Sequence, residues 1–342
     1  QWLINYAWPY EAKFKDKKYS KMKAEKFAEE LVSVGTLGGA CYASIHAHTT
    51  DDALKYFVGD FVVGNVLMTM ESPDYLTQTK KQALKLVDKQ TKKFKDSYAV
   101  TPRFAPTTHP DVMEEASKMA RSNRSFIQTH LSETENEIDY VMSIYKNIKG
   151  YEKVKTYTDI YKKAKVLGPK TIMGHGIYLS TDELKTLSKT KTSIAHCPTS
   201  NAPVKQLGLG SGLFNFKIAE KYGVDWSLAS DIGGGPFVSM FDVMQSFVSQ
   251  NKSANVKGAS YVKALYRATV AGARALKLDK SCGNFESGKY GNLIIVHAPK
   301  DLTGPSEKIL ERIVSSCKSS RKKYDKVVEQ TFYRGECVFS KI

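Results

Sequence analysis

The stretch that decides the fold is residues 125–147, "SFIQTHLSETENEIDYVMSIYKN". Its first part, "SFIQTHL", is apolar and β-prone and reads as a strand; its second, "ENEIDYVMSIYKN", reads as a helix. Where the apolar run stops stand two ionisable residues, His130 and Glu133. A strand, a short polar turn and a helix form one unit of a parallel β/α fold, and the question is how often that unit recurs.

It recurs in both directions. Before it come "YSKMKAEKFAEELVSVG" (19–35, helix ending at Gly35), "TLGGACYASIHA" (36–47, strand), "YFVGDFVVGNVLM" (56–68, strand), "TKKQALKLVDKQTKKFKD" (79–96, helix), "SYAVTPRF" (97–104, strand) and "HPDVMEEASKMARSN" (109–123, helix). After it come "KTIMGHGIYL" (170–179, strand), "STDELKTLSK" (180–189, helix, with Ser180 and Glu183 in a capping-box pattern), "TSIAHCP" (192–198, strand), "LFNFKIAEKYG" (213–223, helix) and "DWSLASD" (225–231, strand). Long helical segments follow around 237–250 and 259–276. Seven near-continuous apolar strands alternating with helices predict an α/β chain with a TIM-type (β/α) barrel whose sheet is covered on both faces. An eighth strand has no room before residue 36. Beyond residue 280 the pattern changes to "GNFESGKYGNLIIVHAP" and "VVEQTFYRGECVF", short strands with glycine turns around one helix. The expected division is a barrel over 1–280, carrying strands 2–8, and part of a small appended β-domain over 281–342.

At 342 residues and 42% hydrophobic content the chain can bury a large core. No apolar run approaches the roughly 20 residues that span a bilayer, so no membrane association is expected. The 51 Lys and Arg against 35 Asp and Glu give a net charge of +16, much of it in runs such as Lys13, Lys15, Lys17, Lys18 and Lys21, Lys92, Lys93 and Lys95, and Arg321, Lys322 and Lys323. Without aromatic interleaving or a nucleic-acid motif these read as a solvated lysine-rich surface, not a nucleic-acid site. Five cysteines without a Cys-x-x-Cys suggest reduced thiols and a cytoplasmic setting.

In a β/α barrel the chemistry sits at the C-terminal ends of the strands. The residues there are Arg103 and Phe104, His130 and Glu133, His175, His196 and Asp231. Burying so many titratable groups is costly unless they bind a metal or one another. His130 and Asp231 can hold a divalent ion that leaves an open position for water, and such an ion lowers that water's pKa to around 7. Glu133 can move a proton between the water and a leaving group, and His175 can orient the nucleophile or polarise the substrate. Arg103 offers a planar donor fork and Phe104 a face for a flat ring, which suits a planar polar heterocycle. Each also has a structural reading: Phe104 as core, His196 as support for the Pro-containing turn, Cys197 as a buried inert thiol, His109 as a helix start and His297 as a strand end. The glycines of "DIGGG" and "GLGSG" lack the context of a phosphate cradle. His46 and His48, in "SIHAH", resemble a metal-gripping His-x-His of an extended segment, whose alternate side chains share a face.

In order and spacing, "TPRF", "QTHLSE", "MGHGIYLS", "SIAHCPTSNAPV" and "ASDIGGG" resemble the guanine deaminases of the amidohydrolase superfamily, and the likeness runs from "QWLINYAWPYE" to "YRGECVF". The resemblance implies a zinc enzyme of purine catabolism that converts guanine to xanthine and ammonia, with a homodimer as its expected assembly. It assigns His130 and Asp231 as zinc ligands, Glu133 as the proton shuttle and His175 as the residue positioning water or substrate. Arg103, Phe104, Leu131 and Ser132 match guanine contacts. It also implies a His-x-His at the end of a first barrel strand ahead of the "WL…P.E" segment, on which this sequence opens at Trp2. That motif is therefore expected to be missing; His46 matches an isolated histidine one strand later, and His48 is additional. Asn292 stands where the family usually has Asp. If the chain stands alone, poor zinc binding and a scaffold role are expected; if it belongs to a longer protein, that protein should deaminate guanine. A deaminase of another heterocycle, such as a pterin or triazine, is the remaining alternative.

Overall fold

The computed structural model describes residues 2–297, 300, 303–316 and 327–341; the basic run Arg321–Lys323 lies outside them. All seven expected barrel strands form: β1 (Gly38–Ala43), β2 (Asp60–Leu67), β3 (Ala99–Pro102), β4 (Phe126–Leu131), β5 (Thr171–His175), β6 (Ser193–His196) and β7 (Trp226–Leu228). They follow chain order in one seven-stranded sheet. The β2–β3, β3–β4 and β4–β5 pairs are parallel, with His130 opposite Gly174 and Leu131 opposite His175. The C-terminal strands β8 (Leu293–Val296), β9 (Val328–Tyr333) and β10 (Glu336–Ser340) make the expected separate antiparallel sheet, in the order β10-β9-β8.

The helices are α1 (Trp8–Ala12), α2 (Lys17–Ser33), α3 (Ala47–Tyr56), α4 (Lys80–Phe94), α5 (Pro110–Ser122), α6 (Glu135–Tyr145), α7 (Tyr157–Lys163), α8 (Thr181–Thr190), α9 (Pro198–Asn201), α10 (Phe216–Lys221), α11 (Met240–Ser253), α12 (Tyr261–Ala268), α13 (Val270–Ala275) and α14 (Ser306–Ser316). Their starts follow local chemistry. Thr79, Thr134 and Ser180 each close a capping box with Gln82, Glu137 and Glu183, so two orphan N–H groups per helix are satisfied reciprocally. His109 caps α5 through its ring, accepting from the Asp111 N–H, as its helix-start reading requires.

The sequence reading of the β1 exit needs correction. The extended run ends at Ala43, and His46 is the N-cap of α3, which places His48 in the first helical turn. Buried Asn65 is the cause: its Nδ2 donates to the carbonyls of Ser44 and His46, both at 2.8 Å, and turns the chain. α3 and α7 were not expected from the sequence either.

Packing divides the chain into two compact units. The first comprises Gln1–Lys26, Ala40–Ile194 and Phe216–Asp225. Its core gathers Val63, Val66 and Leu67 of β2, Val100 of β3, Ile127 and Leu131 of β4, and Ile172 and Met173 of β5, all buried. Gly64 marks a close approach: a Cβ there would stand 2.0 Å from Thr101 Oγ1 and 2.1 Å from the Ala99 carbonyl oxygen. The second unit comprises Phe27–Gly39, Ala195–Asn215 and Trp226–Ile342. Its aromatic core sets Trp226, Phe214 and Phe247 around one another, and Arg267 lies over the Trp226 ring at 4.2 Å. The small sheet is tied to the end of α2, where Thr331 Oγ1 donates to the Val32 carbonyl at 2.7 Å.

Candidate active site

In the first unit the ends of β3, β4 and β5 bring together five of the expected residues, Arg103, Phe104, His130, Glu133 and His175. The His130 Nδ1 lies 2.5 Å from the Arg103 carbonyl oxygen, and the His130 carbonyl accepts from Tyr161 Oη at 2.8 Å. The His130 ring stacks on His175 with centroids 5.4 Å apart and meets Tyr42 at 4.9 Å and Phe104 at 6.4 Å. Burial pushes the His130 pKa down to about 3, and the neighbouring His175 pushes the same way. A neutral imidazole facing a carbonyl through Nδ1 carries its proton there and presents a lone pair at Nε2. That is the state a metal ligand needs.

Glu133 follows the strand by two residues. Its Oε2 lies 3.7 Å from His175 Nε2, while its backbone N–H donates to Glu137 Oε2 at 2.8 Å. The turn between is fixed by backbone bonds: Leu131 accepts from Gly176, and Ser132 from Ile177 and Tyr178. Leu131 and Ser132 are fully buried. Ser132 has φ +50° and His175 φ +71°, a left-handed conformation that costs a non-glycine residue about 1–2 kcal/mol.

Arg103 has a partner that the sequence reading did not name. Its guanidinium pairs with the Glu11 carboxylate of α1. Phe104, partly buried, follows in extended backbone. His46 and His48 stack on each other at 5.7 Å, and His48 Nε2 bonds to the Phe14 carbonyl oxygen at 2.8 Å. Glu11, Tyr42, Tyr161 and Glu137 escaped the sequence reading. Glu11, Tyr42 and Tyr161 reach their partners through tertiary structure, and of these the Pro-Tyr-Glu of α1 carried a signal as part of the resembling segment. Glu137 meets Thr134 and Glu133 locally, and Thr134-x-x-Glu137 is a capping-box pattern.

In the second unit, His196 is buried against Phe214 at 4.8 Å, with Phe247 at 6.1 Å and Trp226 at 6.3 Å. Cys197 is buried. Asp231 follows β7 with φ +48°, and its carbonyl accepts from Gly235 at 2.5 Å. A Cβ on Gly234 would stand 2.7 Å from Asp231 Oδ2, and one on Gly235 would stand 2.4 Å from the Ser230 carbonyl oxygen. The glycines of "DIGGG" therefore wrap the aspartate; a hard carboxylate held in this way suits a divalent ion.

Strand order, helix placement and titratable strand ends define the class. The amidohydrolase family model matches residues 4–338, and the chain belongs to that family, with its TIM-type barrel fold. Within it the chain is similar to guanine deaminases. It is 32% identical to guanine deaminase of Escherichia coli over 306 residues, covering 86% of this chain and 66% of that protein. With guanine deaminase of Rattus norvegicus it shares 33% identity over 319 residues, covering 86% and 66%. Among solved structures, guanine deaminase from C. acetobutylicum with bound guanine in the active site superposes with TM-score 0.86 at 28% identity, covering 99% of this chain and 80% of that one. The chain thus spans about two thirds of the length of the curated relatives it matches.

Proposed function

We propose that the full-length protein catalyses the zinc-dependent hydrolytic deamination of guanine to xanthine and ammonia. The observation that carries this reading is the neutral His130, fixed through Nδ1 and stacked on His175, whose Nε2 faces Glu133. It stands in a chain similar to guanine deaminases over most of its length. His130 and Asp231 would hold the ion. Bound zinc supplies the Lewis acidity that makes water a nucleophile near neutral pH.

Glu133 accepts a proton from the attacking water and returns it to the amino nitrogen, so that the C2–O bond forms, the C2–N bond breaks and ammonia leaves. His175 is buried and stacked on His130, a placement suited to directing the water or polarising the ring. Arg103 donates to a ring oxygen or nitrogen, Phe104 stacks on the purine, and Leu131 and Ser132 form the turn beside it. His46, His48 and His196 have the weaker claim as lining residues. In this reading residues 1–280 belong to the barrel and 281–342 to the appended β-domain. A cytoplasmic homodimer acting in purine catabolism is part of the same proposal.

The test is ammonia release by the full-length protein from guanine, a pterin and a triazine. Guanine is expected to give the highest kcat/KM. A higher value for either other ring would reassign the substrate.

A further inference from the structure

The Glu11–Arg103 pair is half used. The two side chains are only 13% and 14% exposed, and Glu11 Oε2 takes Arg103 Nη1. The other oxygen, Oε1, is buried and has no partner among the described residues. Helix α1 does not hang loose, because Trp8 packs against the buried Val66, Met68 and Leu76 and fixes where Glu11 stands. On the other side, the Arg103 carbonyl meets His130 Nδ1. A buried carboxylate oxygen without a donor is costly. An N–H group brought by a ligand relieves that cost.

We propose that Glu11 is a specificity-determining residue: Oε2 fixes the Arg103 fork, and Oε1 accepts a ring N–H of the substrate. The inference rests on the guanine reading. Arg103 and Glu11 together offer a donor beside an acceptor, and guanine presents the complement along one edge, the 6-oxo acceptor beside the N1–H donor. A ring without the 6-oxo group lacks both features. Glutamine cannot replace Glu11, because one end of its amide is a donor, so it can satisfy either Arg103 or the ring but not both.

The experiment compares native full-length protein, Glu11→Gln and Glu11→Asp, measuring KM and kcat for guanine and the inhibition constant of 2-aminopurine, which lacks the 6-oxo group and N1–H. Glu11→Gln is expected to raise the guanine KM about 10- to 100-fold, the worth of one charge-assisted hydrogen bond, with a smaller change in kcat. The 2-aminopurine constant should stay within about threefold, and Glu11→Asp, which keeps the charge, should retain more guanine affinity than Glu11→Gln. An unchanged guanine KM, an equal loss for both rings, or the reverse order of the two variants overturns the proposal. Lack of guanine turnover by the native protein overturns the substrate reading and the role of Glu11 with it. An unchanged KM in an active variant removes Glu11 alone.

Discussion

Ser132, His175 and Asp231 sit at strand ends with φ of +50°, +71° and +48°. Such strain gathers at sites where the surrounding structure over-determines a residue. Here backbone bonds fix the turn carrying Glu133, and glycines fix the turn carrying Asp231. Glu133 is the residue whose loss isolates the chemistry: Glu133→Gln keeps shape and should lower kcat for guanine by about 10²- to 10⁴-fold with metal content unchanged. Metal analysis alongside steady-state kinetics checks this, and near-native turnover would remove Glu133 from proton transfer. The placement of His130, His175 and Asp231 at or just beyond strand ends was legible in the sequence because an ionisable group ending an apolar run is conspicuous. Glu11 was not, because it meets Arg103 across 92 residues of chain. Likewise, the apparent His46-x-His48 strand pair dissolved because the Asn65 side chain turns the backbone into a helix.

Among elements, the strands were easier to read than the helices. Each barrel strand lies in a largely apolar, β-prone run, whereas α3 begins in "AHTTDD" and α7 is seven residues long, too short for its periodicity to stand out. The start of α6 offers a test of how an element serves the site. Glu137 closes its capping box and also receives the Glu133 N–H. Burial raises the Glu137 pKa, outweighing the bond from Glu133. A carboxyl raised in the folded state contributes stability that is fully present below its unfolded pKa and lost as pH rises through the folded one. Glu137→Gln has no charge to bury, so its stability relative to the native protein should increase with pH above the usual carboxylate value and then level off. Urea denaturation of both proteins across that range checks the slope; a difference that falls with pH contradicts the assignment.

For the molecule as a whole, the strand order and the separate C-terminal sheet followed from the sequence because the hydrophobic pattern changes character after residue 280. The two compact units did not, because three of their boundaries run through helix α2 and strands β1 and β6, where no turn or composition shift marks them. Among the described residues no helix is long and apolar enough to cross a membrane. The central claim is that these strand ends serve a metal-dependent guanine deaminase. It is tested most directly by following xanthine formation from guanine in the full-length protein, first metal-stripped with a chelator and then titrated with zinc. The account predicts no turnover in the stripped protein and full recovery at one zinc per chain; turnover that survives chelation, or none after zinc is restored, would contradict it.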